Sequence, residues 1–223
     1  MDRRDILKCL TYGAIGLVLP INSLLSSDNT GREEIFLTID DGPASNMPLI
    51  LRNLKGEHVT FYLVGEQIAQ DKNFSIACQA IELGNVIGNH SYTHPEFSKI
   101  SLDNAKREIE RTEEIIRRIY SNVGITRKNK FFRFPYGDYG GRKKSDLELF
   151  LTEGGYNVHF WDIDTEDWMH YRKVNRLKEE YILQNCRQAR NGDIVLTHDN
   201  QITADKIVPF YVNSSEYRLI IPS

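Results

Sequence analysis

Cysteine is scarce in this chain: Cys9, Cys78 and Cys186 are the only three among 223 residues. So few thiols, so widely spaced, exclude a disulfide framework and a thiolate zinc site, and any metal must be held by histidine and carboxylate. An excess of one charge is also missing. The 28 basic residues stand against 31 acidic ones, which excludes a basic nucleic-acid arm and a disordered acidic tail. No nucleic-acid partner is expected. No repeat, linker or low-complexity tract divides the sequence. What the chain does have is 40% hydrophobic residues, enough to bury the core of one ordinary domain without staples, and six histidines.

The amino end reads as an export signal over residues 1–27. A short charged start, Asp2-Arg3-Arg4-Asp5, precedes an apolar run from Cys9 to Leu25. That run is shorter than the roughly 20 apolar residues a membrane span needs, and Tyr12, Gly13, Gly16, Pro20 and Asn22 interrupt it. Arg3-Arg4-Asp5-Ile6-Leu7-Lys8 is similar to a twin-arginine signal, with a general secretory signal as the alternative. Either route places the protein in the periplasm or outside the cell, at the wall. Membrane association is expected only if the signal stays uncleaved. Residues 28–223 then form the catalytic domain, where Cys78 and Cys186 fall in helix-like segments and read as buried, inert thiols.

From Glu34 onward, β-branched and aromatic runs alternate with helical patterns, the signature of an α/β domain. Seven strands are predicted, in runs beginning at Ile35, Val59, Asn85, Lys130, Tyr156, Asp193 and Tyr217. Ala105, Ile109, Ile116 and Ile119 recur at helical spacing and predict a helix over 102–120, its charges on the other face. Further helices are expected over 47–54, 74–83, 145–153 and 174–189. Periodicity leaves open whether these units form a doubly wound sheet or a barrel.

In both architectures chemistry sits at the carboxyl ends of parallel strands, and polar residues gather there repeatedly. Strand one runs into Asp40-Asp41-Gly42-Pro43 and strand three into His90-Ser91-Tyr92-Thr93-His94. Strand four ends in Arg133-Phe134-Pro135-Tyr136, strand five leads to Asp164 through Trp168, and strand six to His198. Each piece has a bland reading, as a turn, a cap or a surface pair. Five successive strand ends carrying such groups do not.

Two histidines plus one carboxylate, with a position left open for water, is a standard catalytic zinc set. His90, His94 and one of Asp40 or Asp41 supply it, leaving the other aspartate to take a proton from the attacking water. Adjacent side chains leave an extended strand in opposite directions, so a turn at Gly42-Pro43 must bring both to one centre. Arg133 is placed to hold the base ionised and oriented. His198, steadied by Asp164, is the candidate acid for the leaving group, and a backbone N–H near Tyr136 the candidate oxyanion donor. Together these describe hydrolysis of an amide or ester.

These residues resemble the NodB-type polysaccharide deacetylases, carbohydrate esterase family 4, over roughly 34–221. Five motifs occur in order: Thr38-Ile39-Asp40-Asp41-Gly42-Pro43, His90 to His94, Arg133 to Tyr136, Asp164 to Trp168, and Leu196-Thr197-His198. The resemblance implies a distorted (β/α) barrel of about seven parallel strands. It implies Asp40 as base and Asp41, His90 and His94 as ligands of a divalent metal, zinc first, with cobalt or another transition metal as alternatives. Arg133 would position the base, Asp164 would orient the acid His198, and Tyr136 would donate to the oxyanion. Trp168 and Leu196 would line the acetyl pocket. The substrate implied is an N-acetylated polysaccharide or oligosaccharide, such as peptidoglycan or a chitin-like chain. The alternatives are hydrolysis of a non-sugar C–N bond and an inactive glycan-binding relative. Ile39 and Phe134 depart from the commoner residues of the motifs, and the 25 residues after His198 leave room for only a short closing helix. His58, His159 and His170 read as structural.

Overall fold

The computed structural model describes residues 31–172 and 176–222. The expected export signal at 1–27, and Val174 near the start of one expected helix, lie outside the described residues. In chain order the elements are β1 (Glu33–Gly42), α1 (Met47–Asn53), β2 (Thr60–Leu63), α2 (Gly65–Ile68), α3 (Asp71–Glu82), β3 (Val86–Asn89) and α4 (Leu102–Val123). There follow β4 (Lys130–Phe132), α5 (Lys144–Glu153), β5 (Tyr156–Val158), β6 (Ile163–Asp164), α6 (Glu179–Cys186), β7 (Ile194–His198), α7 (Val208–Val212) and β8 (Tyr217–Leu219).

Seven strands lie in the order β5-β4-β3-β2-β1-β7-β6, every pairing parallel, and curl into a half-barrel with helices outside. β8 pairs with the first three residues of β1, below the stretch from Phe36 to Asp40 that β7 occupies. β1 is central and buried along Glu34–Asp40, which is why it reads as a nearly unbroken apolar run. The strand expected over 156–161 is strand only to Val158, as β5; its second half belongs to a connector that leads to the separate short strand β6. These two neighbours in sequence end the strand order on opposite sides, so the barrel has an open seam between them.

α4 begins at Ser101, whose hydroxyl accepts from the Asn104 N–H, and stops at Gly124 in the left-handed region (φ 68°). Its buried face, from Ala105 through Ile109, Ile116 and Ile119, is the one the apolar spacing marked. One apolar cluster fills the barrel and its helical jacket. A second, built on Phe97, Phe132, Phe134 and Leu147, backs the segment that carries Arg133. Cys78 and Cys186 are buried free thiols, and burial pushes the Cys186 thiol up to about 12, so neither is poised to react. Among the described residues no helix is long and apolar enough to cross a membrane.

Candidate active site

The two adjacent aspartates reach one centre through a β-bulge. Asp40 pairs with Tyr62 and Gly42 with Leu63, so Asp41 is the extra residue of β1 against β2. It adopts φ 66°, which an Asp tolerates better than most residues, and the strand's alternation is broken there. The turn expected at Gly42-Pro43 is therefore not what redirects the side chain. Left-handed backbone recurs around this centre. Six described non-glycine residues have positive φ, and Asp41, Ser91, His94, Tyr136 and Glu166 all lie where β1, β3, β4 or β6 ends. Such strain persists only where the surrounding structure holds it, and it gathers at functional sites.

Asp41, His90 and His94 form a compact trio. Asp41 Oδ1 lies 3.0 Å from His94 Nε2 and 3.4 Å from His90 Nε2, and the two Nε2 atoms are 3.2 Å apart. Metal–ligand bonds of about 2 Å impose this kind of spacing on their donors. His90 Nδ1 donates to the Arg133 carbonyl at 2.9 Å, because a carbonyl only accepts, and this leaves Nε2 as a lone-pair donor facing inward. Asp41 Oδ1 is itself buried and makes no hydrogen bond. Burial works against its charge, but the two facing imidazoles overcome that and hold the carboxyl well below the usual carboxylate range. One carboxylate oxygen and two imidazole nitrogens converging this closely are a donor set that fits a divalent cation.

Asp40 stands on the other side of His90, Oδ2 3.6 Å from Nε2. Its Oδ1 accepts from Arg133 Nη1 at 2.8 Å. Arg133 is fully buried and spends its other donors on Thr38 Oγ1 (2.7 Å) and on the carbonyls of His159 (3.3 Å) and Phe160 (3.0 Å). Those carbonyls lie in the connector from β5 to β6, so the guanidinium fills the seam of the barrel as well as holding Asp40. Its plane rests 4.2 Å from the Tyr62 ring centroid. Tyr62 OH meets His159 Nδ1 at 2.7 Å, and burial together with the Arg133 charge presses His159 down to about 3. His159 is a neutral strut beneath the arginine.

His198 pairs with Asp40 in the β1/β7 register. Asp164 was expected to steady it, but Asp167 does. Asp167 Oδ1 lies 2.8 Å from His198 Nδ1, and Oδ2 accepts from the His198 N–H (2.9 Å), Asn200 Nδ2 (2.5 Å) and Thr203 Oγ1 (3.2 Å). Asp164 instead pairs with Leu196 in the sheet, and its Oδ1 caps the Glu166 N–H at 2.8 Å. An aspartate at the end of a strand readily closes such a local turn, which presents the later aspartate to the histidine. Burial disfavours charge on His198, but Asp167, Asp40 and Asp41 outweigh it and raise the imidazolium to about 9.

The other expected residues are placed as follows. Tyr136 has φ 57°, and its exposed ring meets His94 edge-on with centroids 4.6 Å apart. Trp168 is half-exposed beside Asp167, with the Arg172 guanidinium 4.6 Å from its ring centroid. Leu196 is buried on β7, opposite Thr38 and Asp164. His170 Nδ1 is bound to the Leu177 carbonyl. Thr38 and Asp167 lie inside the motifs but were given no role from the sequence, and Glu108 was not marked at all. Glu108, on α4, accepts from the Tyr92 N–H (2.9 Å), the Thr93 N–H (2.6 Å) and Thr93 Oγ1 (2.9 Å), fastening the loop between His90 and His94. An i, i+3 or i+4 pattern on a helix cannot reveal such a distant partner. Beside Tyr136, a cavity of about 190 Å³ is lined by Gly137, Tyr139, Phe160 and Trp161.

The half-barrel is the fold of the NodB-type carbohydrate esterases of family 4. The chain belongs to the polysaccharide deacetylase family, whose pattern it matches over residues 27–150. It is 36% identical over 140 residues to the peptidoglycan-N-acetylglucosamine deacetylase of Bacillus cereus, covering 61% of this chain and 47% of that protein. It is 30% identical over 182 residues to the peptidoglycan-N-acetylmuramic acid deacetylase PdaC of Bacillus subtilis, covering 78% of this chain and 35% of that one. The chain thus spans less than half the length of these two relatives. The solved structure of PdaC superposes with a TM-score of 0.68 at 28% identity, covering 86% of this chain and 89% of that one. The family 4 carbohydrate esterase from Streptomyces lividans, solved with acetate, gives 0.71 at 26%, covering 86% and 93%. A pseudoenzyme from Bacillus anthracis shares the fold at 24% identity and a TM-score of 0.68, covering 87% and 67%.

Proposed function

We propose that this chain is a metal-dependent deacetylase that removes N-acetyl groups from amino sugars of a polysaccharide, peptidoglycan or a chitin-like chain. The observation that carries this reading is the converging trio Asp41, His90 and His94, with Asp40 beside His90 and the Asp167-bound His198 opposite Asp40 in the sheet. Asp41, His90 and His94 would hold a divalent cation, zinc by the donor set, which would supply Lewis acidity to the attacking water and the acetyl carbonyl. Asp40 Oδ1 is committed to Arg133, so Oδ2 takes the proton of the attacking water. His198 Nδ1 is committed to Asp167, so Nε2 gives its proton to the departing amine. The left-handed turn at Tyr136, beside His94, supports its backbone N–H as the oxyanion donor. The aromatic cavity beside Tyr136 suits the apolar face of a sugar ring. The likeness to peptidoglycan deacetylases of Bacillus cereus and Bacillus subtilis supports the same substrate class.

A panel of acetylated chitooligosaccharides, peptidoglycan, acetylated xylan and non-sugar amides tests the assignment by acetate release. Turnover on the amino-sugar polymers, lost in His90→Ala, is the expected result. Turnover confined to non-sugar amides contradicts it. Residues 1–27 support export to the periplasm or wall, where such polymers lie; a reporter fused to them that stays in the cytoplasm contradicts that placement.

A further inference from the structure

Asp199 follows the candidate acid His198 and has no part in the chemistry just described, yet it is 93% shielded by its 7% exposure. Its backbone N–H donates to the Asp40 carbonyl at 2.9 Å, and its Oδ2 accepts from the Ala44 N–H at 2.7 Å. These two bonds bracket the bulge at Asp41, one on the residue before it and one on the third residue after it. Gly42 lies against the same carboxylate, for a Cβ there would come within 3.1 Å of Asp199 Oδ2 and 3.0 Å of Leu63 Cδ2. Asp199 Oδ1 is buried and makes no hydrogen bond. The contact with Ala44 therefore runs through Oδ2, and the Asn46 N–H on the same segment also favours the carboxylate.

We propose that Asp199 is a positioning residue for the metal site: by accepting from Ala44 it clamps the end of β7 to the bulge of β1 and fixes the direction of the ligand Asp41. The inference rests on the metal-dependent reading of the site. Asp41 Oδ1 faces only the two other members of the trio, His90 and His94, so its aim depends on the backbone that carries it. With the acceptor gone, the Ala44 N–H loses its partner, the left-handed Asp41 loses one of its two braces, and the donor trio opens. Contacts of this kind behind metal ligands change affinity by about 10-fold to 100-fold.

The test is zinc affinity by competition with a chromogenic chelator on the full chain, with the visible spectrum of the cobalt form and the melting temperature of the metal-free form alongside. Asp199→Asn keeps the oxygen acceptor and Asp199→Leu removes it at similar volume. Asp199→Leu is expected to bind zinc about 10-fold or more weakly with an altered cobalt spectrum, and Asp199→Asn to stay within about threefold of wild type. A purely structural role lowers the melting temperature without moving the affinity of the folded protein. Gly42→Ala, which crowds Oδ2, supplies the same loss of affinity if Asp199→Leu does not fold. Wild-type affinity in Asp199→Leu or in Gly42→Ala, or equal losses in the Asn and Leu variants, overturns the inference alone. A wild-type chain that binds no metal overturns it together with the metal reading.

Discussion

Asp167 governs the proton that His198 carries. It is the first of the groups that overcome burial and raise the imidazolium to about 9, so below that pH the histidine is charged and able to act as an acid. Asp167→Asn removes the charge but keeps an acceptor, so the imidazolium pKa falls and the alkaline limb of kcat/KM moves to lower pH. Asp164→Asn, whose carboxylate caps a turn, leaves that limb in place. A pH–rate profile of the two variants checks this; equal displacement in both contradicts the geometry. The linkage has a definite sign. A folded-state pKa above the ordinary 6.5 contributes stability that is full below about 6.5 and is lost as pH rises through about 9. At this scale the sequence was legible in the groups gathered at strand ends: Asp40, His90, Arg133 and His198 are brought together in the structure. It was misleading between Asp164 and Asp167, because Asp164 closes a local turn while Asp167 reaches His198 on another strand, and no spacing encodes that.

Elements set the accuracy of the site. The histidine loop is irregular, with Ser91 at φ 66° and His94 at φ 57°, and its shape is held from outside by Glu108 on α4. That helix is well made, capped at Ser101 and Gly124 and buried along one face, so it presents a rigid carboxylate to a strained loop. Glu108→Ala is expected to weaken metal binding by about 10-fold while the helix stays intact. Metal titration followed with far-UV circular dichroism measures both. Undiminished affinity would mean the loop holds its shape unaided. The periodicity of α4 and the apolar run of β1 were readable because burial imposes them directly on residue type. The bulge at Asp41 was not, because it depends on how β1 pairs with β2. The end of β5 at Val158, within the run over 156–161, was equally hidden, since the connector finds its polar partner in Arg133, a residue on another strand.

For the whole molecule, the curl of one parallel sheet is what assembles the chemistry. β1, β3, β4 and β7 each deliver one part of it, and the seam between β5 and β6 is where Arg133 enters to hold Asp40. Fold class followed from the alternation of strand and helix patterns, whereas closure as a barrel came only with the resemblance of the five motifs. The central claim is that Asp41, His90 and His94 hold one cation on which Asp40 and His198 act. Its most direct test is acetate release from an N-acetylated amino-sugar oligomer by metal-stripped protein as zinc is added back, beside Asp40→Asn. The account predicts activity that rises to a plateau at one zinc per chain. Asp40→Asn should bind the same single zinc yet turn over slower by about 10²-fold to 10⁴-fold. Full activity in the metal-stripped protein, or an Asp40→Asn variant as fast as wild type, would contradict it.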